Sequence, residues 1–295
     1  SAVVVGGGIT ALEIAEGLNA RGVRTHYCLR KDRYWSNVLD PVESRIVEQR
    51  LQKEGVQIHY HTELAEIKGK NGKIIGVVTT GGETIRCQMV GVAVGIRPRL
   101  ELARTAGLES DRGILVNEHL QTSENNIYAA GDVAQVYDPR TGISVIDSLW
   151  GPAREQGHTA GLNMAGVQTS YTKGIAFNVT RLGGLTTTII GGVGQGSDAD
   201  LVGIARGDSE TWRFFPDAIA AQSDFGINRL RIMVGEKHLK GAVVMGDQSL
   251  SQPLYHLIAL KADIIPIRDE LLASRNGLED LMIRFWSEWR AKHEV

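Results

Sequence analysis

Cysteine is scarce in this sequence, and its two copies lie far apart. The chain of 295 residues contains only Cys28 and Cys87, and neither belongs to a CxxC pair. A disulfide framework, a zinc site and a thiol redox centre within the chain are therefore disfavoured, and we predict no metal site. We expect both cysteines to be small, buried hydrophobic residues.

Long apolar runs and a strong excess of one charge are also lacking. No apolar run is long enough to span a membrane, and we expect no signal peptide. The formal net charge is −2 at pH 7, whereas a general nucleic-acid binder has a strongly basic surface. These absences predict a cytoplasmic protein without a membrane or nucleic-acid partner.

The beginning of the sequence has the pattern of a dinucleotide-binding turn. Residues 3–8 read Val-Val-Val-Gly-Gly-Gly, and the apolar residues that follow have helical spacing. In such a unit Gly6 permits the tight turn and Gly8 lets the backbone approach a pyrophosphate. Ile9 and Thr10, at the start of the helix, complete the predicted site with their N–H groups. The alternative interpretation is an ordinary tight turn of an α/β protein.

A second strand supports the nucleotide-binding interpretation. Residues 23–29 alternate like a strand about 20 residues after the glycines, where the motif places the strand that ends at the ribose. The segment after it contains Arg30, Lys31 and Arg33 instead of an acidic residue that would bind a ribose 2′-hydroxyl. Because these cations attract a 2′-phosphate, the sequence favours NADP(H), while Asp32 leaves NAD(H) open.

Glycine pairs further along the chain predict an antiparallel insertion. Residues 40–43, Asp-Pro-Val-Glu, first predict the start of a helix. Hairpin signals then occur at residues 71–72 and 81–82. They separate three β-patterned runs at residues 64–68, 73–80 and 84–89. Residues 90–94 return as a buried parallel strand that ends at Gly95.

At this point the chain resembles the pyridine nucleotide–disulfide oxidoreductase flavoproteins. The glycine turn, the meander and a strand that ends in Ala93-Val94-Gly95-Ile96-Arg97-Pro98 occur in the order of that family. Val94 replaces the threonine that the family has there. A further strand, predicted at residues 126–130, runs into Gly131 and Asp132 as it does in the family.

The last third of the chain is predicted to be a separate α+β region. Strands are expected at residues 176–181 and 185–191, and a hairpin pairs residues 229–234 with 240–245. Residues 239–247 resemble nitrite reductase flavin subunits and rubredoxin reductases. The closing helix carries an apolar stripe of Leu278, Leu281, Met282, Phe285, Trp286 and Trp289. We interpret the stripe as core; a surface for a partner or a homodimer is the alternative.

The resemblance implies an α/β fold with three parts and two cofactors. It implies a Rossmann-like NAD(P)-binding domain of residues 1–98 that includes the meander. The remainder of an FAD-binding domain follows at 99–167, and an α+β domain at 168–295. Asp132 would contact the ribityl–phosphate region of FAD, and the helix that begins near Trp150 would point its amino end at the flavin ring.

The resemblance also implies an activity, in which hydride passes from a nicotinamide to the flavin. Glu13 stands where the family places a glutamate facing the nicotinamide; a solvent-facing helix residue is the alternative. The family's earlier FAD half and the His-Pro…Glu signature of glutathione-reductase-type enzymes are absent from the sequence. Electron transfer to a rubredoxin, ferredoxin or haem protein is therefore favoured over disulfide reduction.

We accordingly expect a fragment or truncated form of an FAD-dependent NAD(P)H oxidoreductase that holds FAD poorly and is inactive alone. A non-catalytic NAD(P)-binding module is the alternative function.

Overall fold

The first part of the chain alternates strands and helices and then forms a meander. It runs as β1 (Ala2–Val5), α1 (Ile9–Ala20), β2 (Thr25–Cys28), α2 (Pro41–Lys53), β3 (Gln57–His59), β4 (Leu64–Lys70), β5 (Lys73–Thr79), β6 (Thr84–Ile85) and β7 (Met89–Val92). A parallel sheet has the order β3-β2-β1-β7, and β4, β5 and β6 form a separate antiparallel sheet. The Rossmann-like pattern with an inserted meander is confirmed.

The structure, a computed structural model, describes residues 1–194, 219–225, 228–273 and 277–293, and residues 219–225 by their backbone alone. Part of the predicted carboxyl-terminal domain lies outside the described residues.

Helix α2 begins where the sequence predicts. The Asp40 carboxylate accepts a hydrogen bond from the N–H of Glu43, and the Glu43 carboxylate accepts one from the N–H of Asp40, both at 2.8 Å. Pro41 occupies the first helical position. This reciprocal capping satisfies N–H groups that the start of a helix leaves free.

Strand β7 is less buried than we predicted for residues 90–94. It lies at the edge of the parallel sheet and pairs with β1 on one side. Met89 is 46% exposed, and Val92 and Val94 are each 59% exposed. The prediction of a buried strand was wrong because an apolar β-branched run identifies a strand but not the number of its neighbours.

Residues 99–167 form a small mixed sheet followed by a long helix. Their elements are α3 (Glu101–Thr105), β8 (Ile114–Leu115), β9 (Ala134–Asp138), β10 (Ile143–Ile146) and α4 (Trp150–Met164). Strand β9 pairs antiparallel with β10 and parallel with β8.

The strand predicted at residues 126–130 does not form. Tyr128 makes only an isolated bridge to Gln121, and Gly131–Val133 form a 3-10 turn. The backbone of Ala130 is extended, with φ −147° and ψ 157°, but among the described residues no neighbouring strand continues the bridge into a ladder. The prediction was wrong because the apolar pattern indicates an extended segment but does not indicate whether another strand pairs with it.

A five-stranded antiparallel sheet and three helices make up the described part of the last region. The strands are β11 (Phe177–Leu182), β12 (Leu185–Gly191), β13 (Ile219–Phe225), β14 (Asn228–Val234) and β15 (Leu239–Met245), in the order β11-β12-β15-β14-β13. The helices are α5 (Ser251–Ala259), α6 (Arg268–Ala273) and α7 (Leu278–His293). The predicted hairpin, now β14 and β15, is confirmed.

The five-stranded sheet contributes to two hydrophobic cores because successive side chains of a strand point to opposite faces. Val243 of β15 packs in one core with Leu12 of α1 and Val47 of α2. Its neighbours Ala242 and Val244 pack in the other core with helices α5, α6 and α7. The last region therefore shares a core with the first, while the domain boundaries near residues 98 and 167 stay a prediction.

The apolar stripe of α7 lies partly in the second core. Four of its residues are buried: Leu278, Leu281, Met282 and Phe285. Trp286 and Trp289 are half-buried at the edge of that core. They stack on each other at 5.8 Å between ring centroids, and on His256 and His293 at 5.5 and 4.2 Å. The core interpretation is confirmed for the four buried residues.

The difference in pairing predicts a difference in local stability. Backbone amides of residues 126–130, which lack a ladder, should exchange with solvent much faster than those of β1, which is paired on both sides. Hydrogen-exchange mass spectrometry of the whole chain measures this contrast. Equally slow exchange in both segments would contradict it.

Candidate functional site

The turn between β1 and α1 can only be built with glycine at its first position. Gly6 has φ +144°, which side-chain-bearing residues avoid. A Cβ at Gly6 would lie 2.2 Å from the carbonyl oxygen of Ala93 and 2.9 Å from Cβ of Ala11. Residue 6 therefore lets the end of β7 and the start of α1 approach each other closely.

The amino end of α1 is open. Its N-cap is Gly8, no side chain caps it, and its first turn contains no acidic residue. Gly7 and Thr10 are exposed beside it. Because the first N–H groups of a helix have no intrahelical acceptor and carry the positive end of the dipole, this end suits an anion. Ile9 and Thr10 are the first two residues of α1 and supply N–H groups there, and their binding of a pyrophosphate stays a prediction.

The predicted residue Gly95 lies at the same edge. Ala93 donates its N–H to the carbonyl oxygen of Val5 at 2.9 Å, and Gly95 turns away with φ +117° and is exposed. The sheet order places β2 and β3 on one side of β1 and β7 on the other. The crevice between β1 and β7 is thus the point where the strand order reverses, which is where open α/β sheets bind their ligands.

The three predicted cations after β2 differ in their surroundings. Lys31 Nζ donates to Asn37 Oδ1 at 3.1 Å, and Arg33 Nη1 pairs with Asp32 Oδ2 at 3.1 Å. Arg30 is exposed and has no hydrogen-bond or ion-pair partner among the described residues. The guanidinium of Arg30 is therefore available to an anion. The guanidinium of Arg33 is already bound by Asp32 and by the carbonyl oxygen of Ser36.

Buried aromatic residues anchor the segment that carries these cations. Tyr34 is fully buried and Trp35 is 5% exposed. The N–H of Tyr34 donates to Glu48 Oε1 at 2.7 Å, and its carbonyl oxygen accepts from Ser44 Oγ at 2.7 Å. We did not predict Glu48 or Ser44; an aromatic pair directly after three cations was the available signal.

Glu13 is exposed on α1, just beyond its first turn. Exposure is compatible with both interpretations of this residue, so its role toward a nicotinamide stays a prediction.

The remaining predicted residues form a second group around the start of α4. Gly131 has φ +75°, and its N–H donates to Gln156 Oε1 at 2.8 Å. Asp132 is exposed beside it. Trp150 is 77% exposed, with the guanidinium of Arg154 5.4 Å from its ring centroid. We did not predict a role for Gln156, which is fully buried and fixes the Gly131 turn.

Leu149 connects the two groups of residues. It precedes Trp150 and packs against the same hydrophobic core as Ile9 and Ala93. The start of α4 is therefore held to the first part of the fold.

A cavity of about 280 Å³ lies between the start of α4 and the last region. Its lining includes Glu155, Phe177 and Tyr255, as well as Asp147. The Asp147 carboxylate pairs with Lys173 Nζ at 2.8 Å, and each side chain is 1% exposed. Asp147 therefore contributes no unpaired charge to the cavity.

The cysteines are packing residues, as predicted. Both are free and buried, and burial raises the pKa of the Cys28 thiol to about 11, so it is protonated at neutral pH. Across the described residues we find no group of three metal-ligating side chains. The helices described are also too short or too polar to cross a bilayer.

Known proteins share this sequence pattern and fold. The chain is 36% identical over 192 residues to an NADH oxidase of Methanocaldococcus jannaschii, covering 65% of this chain and 42% of that protein. It is 36% identical over 145 residues to a rubredoxin-NAD(+) reductase of Ectopseudomonas oleovorans, covering 49% of this chain and 38% of that one. The chain thus spans about two fifths of the length of these curated relatives.

A solved structure agrees in fold. An FAD-dependent pyridine nucleotide-disulphide oxidoreductase from Desulfovibrio vulgaris superposes with a TM-score of 0.76 at 24% identity, over 95% of this chain and 71% of that one.

The family model "Pyridine nucleotide-disulphide oxidoreductase" matches residues 1–157, more than half of the chain. The chain therefore belongs to the pyridine nucleotide-disulphide oxidoreductase family.

Proposed function

We propose that this chain supplies the nicotinamide-nucleotide site of an FAD-dependent NAD(P)H oxidoreductase and that the site prefers NADPH. One observation carries the proposal. The open amino end of α1 lies at the crevice between β1 and β7, with the Gly6 turn packed so tightly that the backbone itself forms the wall. The uncapped end suits a pyrophosphate, whose charge the first N–H groups of the helix can bind.

The position of the dinucleotide follows from that anchor. With the pyrophosphate at Ile9 and Thr10, the adenosine ribose extends toward the end of β2, where Arg30 and Lys31 can pair with a 2′-phosphate. The nicotinamide extends the other way, past Gly95. Glu13 would then face the nicotinamide and orient it.

The second group of residues supports a partial flavin site. FAD, when bound, supplies the ring system that accepts the hydride. Asp132 would hold the ribityl chain, and the uncapped amino end of α4 would favour negative charge on the ring. Gln156 keeps the Gly131 turn in place. The described residues contain no second glycine turn for the adenylate and pyrophosphate of FAD, so we expect weak FAD binding.

The electron acceptor is proposed by class from the relatives. One of them is named a rubredoxin-NAD(+) reductase, and we propose a rubredoxin, ferredoxin or haem protein as acceptor here. A surface for a partner or a homodimer stays the alternative prediction for the apolar stripe of α7.

Replacing Arg30 tests the choice of nucleotide. Arg30→Ala should weaken NADPH binding roughly ten- to a hundred-fold, the value of one charge-assisted contact, and leave NADH binding within about twofold. Arg33→Ala is the matched control because Arg33 already pairs with Asp32, and it should have a smaller effect. Isothermal titration calorimetry measures all three proteins. Equal affinities of the wild type for the two nucleotides would refute the preference.

Replacing glycines of the turn tests the pyrophosphate site. Gly6→Ala should lower nucleotide affinity at least tenfold and destabilise the fold by about 2 kcal/mol, because residue 6 combines a positive φ with a close backbone contact. A Cβ at Gly7 would meet nothing within 4 Å, so Gly7→Ala should keep the stability of the wild type. Thermal unfolding with and without nucleotide compares the two. Similar stability of both variants would contradict the geometry.

A further inference from the structure

Arg231 of β14 is a fully buried cation that reaches out of its own sheet. Its side chain is 0% exposed. Its Nε and Nη2 donate to the two carboxylate oxygens of Glu43 at 2.8 and 3.0 Å. Since Glu43 also caps α2 through the N–H of Asp40, the guanidinium of the last region is joined to the start of a helix in the first.

The same guanidinium also binds the segment that carries the nucleotide-selecting cations. Arg231 Nη2 donates to the carbonyl oxygen of Val38 at 2.7 Å. Val38 directly follows Asn37, whose side-chain oxygen accepts from Lys31 Nζ at 3.1 Å. Hydrogen bonds thus connect Arg231, through the adjacent residues Val38 and Asn37, to Lys31. Lys31 is one of the cations proposed to bind the 2′-phosphate.

The rest of the segment makes this contact important. Trp35 has φ +46°, and its carbonyl oxygen accepts hydrogen bonds from the N–H groups of Val38 and Leu39 at 3.0 and 2.9 Å. Residues 30–39 contain no strand or helix. The turn at residues 35–39 therefore depends on contacts with side chains from other elements. Arg231 provides one of these contacts, the hydrogen bond to Val38, which a neutral or shorter side chain would not provide.

We propose that Arg231 is a positioning residue that holds residues 30–38 in the geometry that selects NADPH, so that the last region of the chain takes part in the choice of coenzyme. This inference rests on the proposed function, in which the segment binds the 2′-phosphate.

The charges around Arg231 decide how the proposal can be tested. Two carboxylates and two guanidinium groups are buried together, those of Asp40, Glu43, Arg229 and Arg231. Arg229 Nη2 lies 2.5 Å from Asp40 Oδ2. Removing Arg231 alone would leave the buried carboxylates of Asp40 and Glu43 with Arg229 as their one cation, and Arg229 Nε lies 3.7 Å from Glu43 Oε1. Two buried negative charges beside one positive charge are strongly destabilising. Glu43→Gln with Arg231→Met removes the two opposite charges together. The glutamine can still accept the N–H of Asp40, while Val38 loses its donor.

A matched control exists on the same helix. Arg50 of α2 donates to the carbonyl oxygen of Gly183, in the turn between β11 and β12. Arg50→Met removes a contact between the same two regions without touching residues 30–38. A second test variant, Arg231→Lys, keeps a charge opposite Glu43 but has no planar fork to serve both Glu43 and Val38.

The experiment uses the whole chain and two measurements. Hydrogen exchange of the amides of residues 30–38 reports the segment without nucleotide, and calorimetry gives the ratio of NADPH to NADH affinity. Both test variants should exchange faster in 30–38, and their preference for NADPH should fall about tenfold, the value of one lost charge-assisted contact. Arg50→Met should change neither quantity.

Unchanged exchange and preference in a folded test variant would overturn the inference. An equal change of exchange and preference in Arg50→Met would also overturn the inference. Looser packing between the first and last regions of the chain would then explain the result without a specific role for Arg231. If the wild type shows no preference, the proposed function fails, and the exchange result still decides whether Arg231 holds the segment.

Discussion

The close approach of the backbone at Gly6 to the carbonyl of Ala93 is the constraint on which this structure depends. It allows β7 to pair with β1 while α1 begins almost in contact with the end of β7. The open amino end of α1, with Gly8 as its N-cap, lies two residues after this contact. A side chain at residue 6 would separate the two elements and fill the space where a pyrophosphate is proposed to lie.

Around this crevice the chain uses contacts from distant parts of the sequence. Val243 of the last region packs in the core with helices α1 and α2. The Gly183 turn contacts Arg50. Glu16 of α1 is half-buried, and burial raises its pKa. Helices α1 and α2, which flank the proposed nucleotide site, are thus fixed from both sides, by their own sheet and by the five-stranded sheet.

The sequence predicts best where local chemistry is sufficient. The β1–α1 turn, the capped start of α2 and the hairpin at residues 71–72 depend on residues that are neighbours in the chain, and all three form. The missing ladder at residues 126–130 and the exposure of β7 depend on which strands become neighbours, which an apolar pattern does not record. Arg231 could not be assigned to the cation segment because almost two hundred residues of sequence separate it from Val38.

The most direct test of this account is to map where NADPH binds. Backbone amide resonances of the isotopically labelled chain would be followed by NMR during titration with NADPH. The account predicts the largest changes at the start of α1, including Ile9 and Thr10, and at Arg30 and Lys31. Changes centred on Gly131 and Asp132, with the α1 turn unaffected, would contradict it.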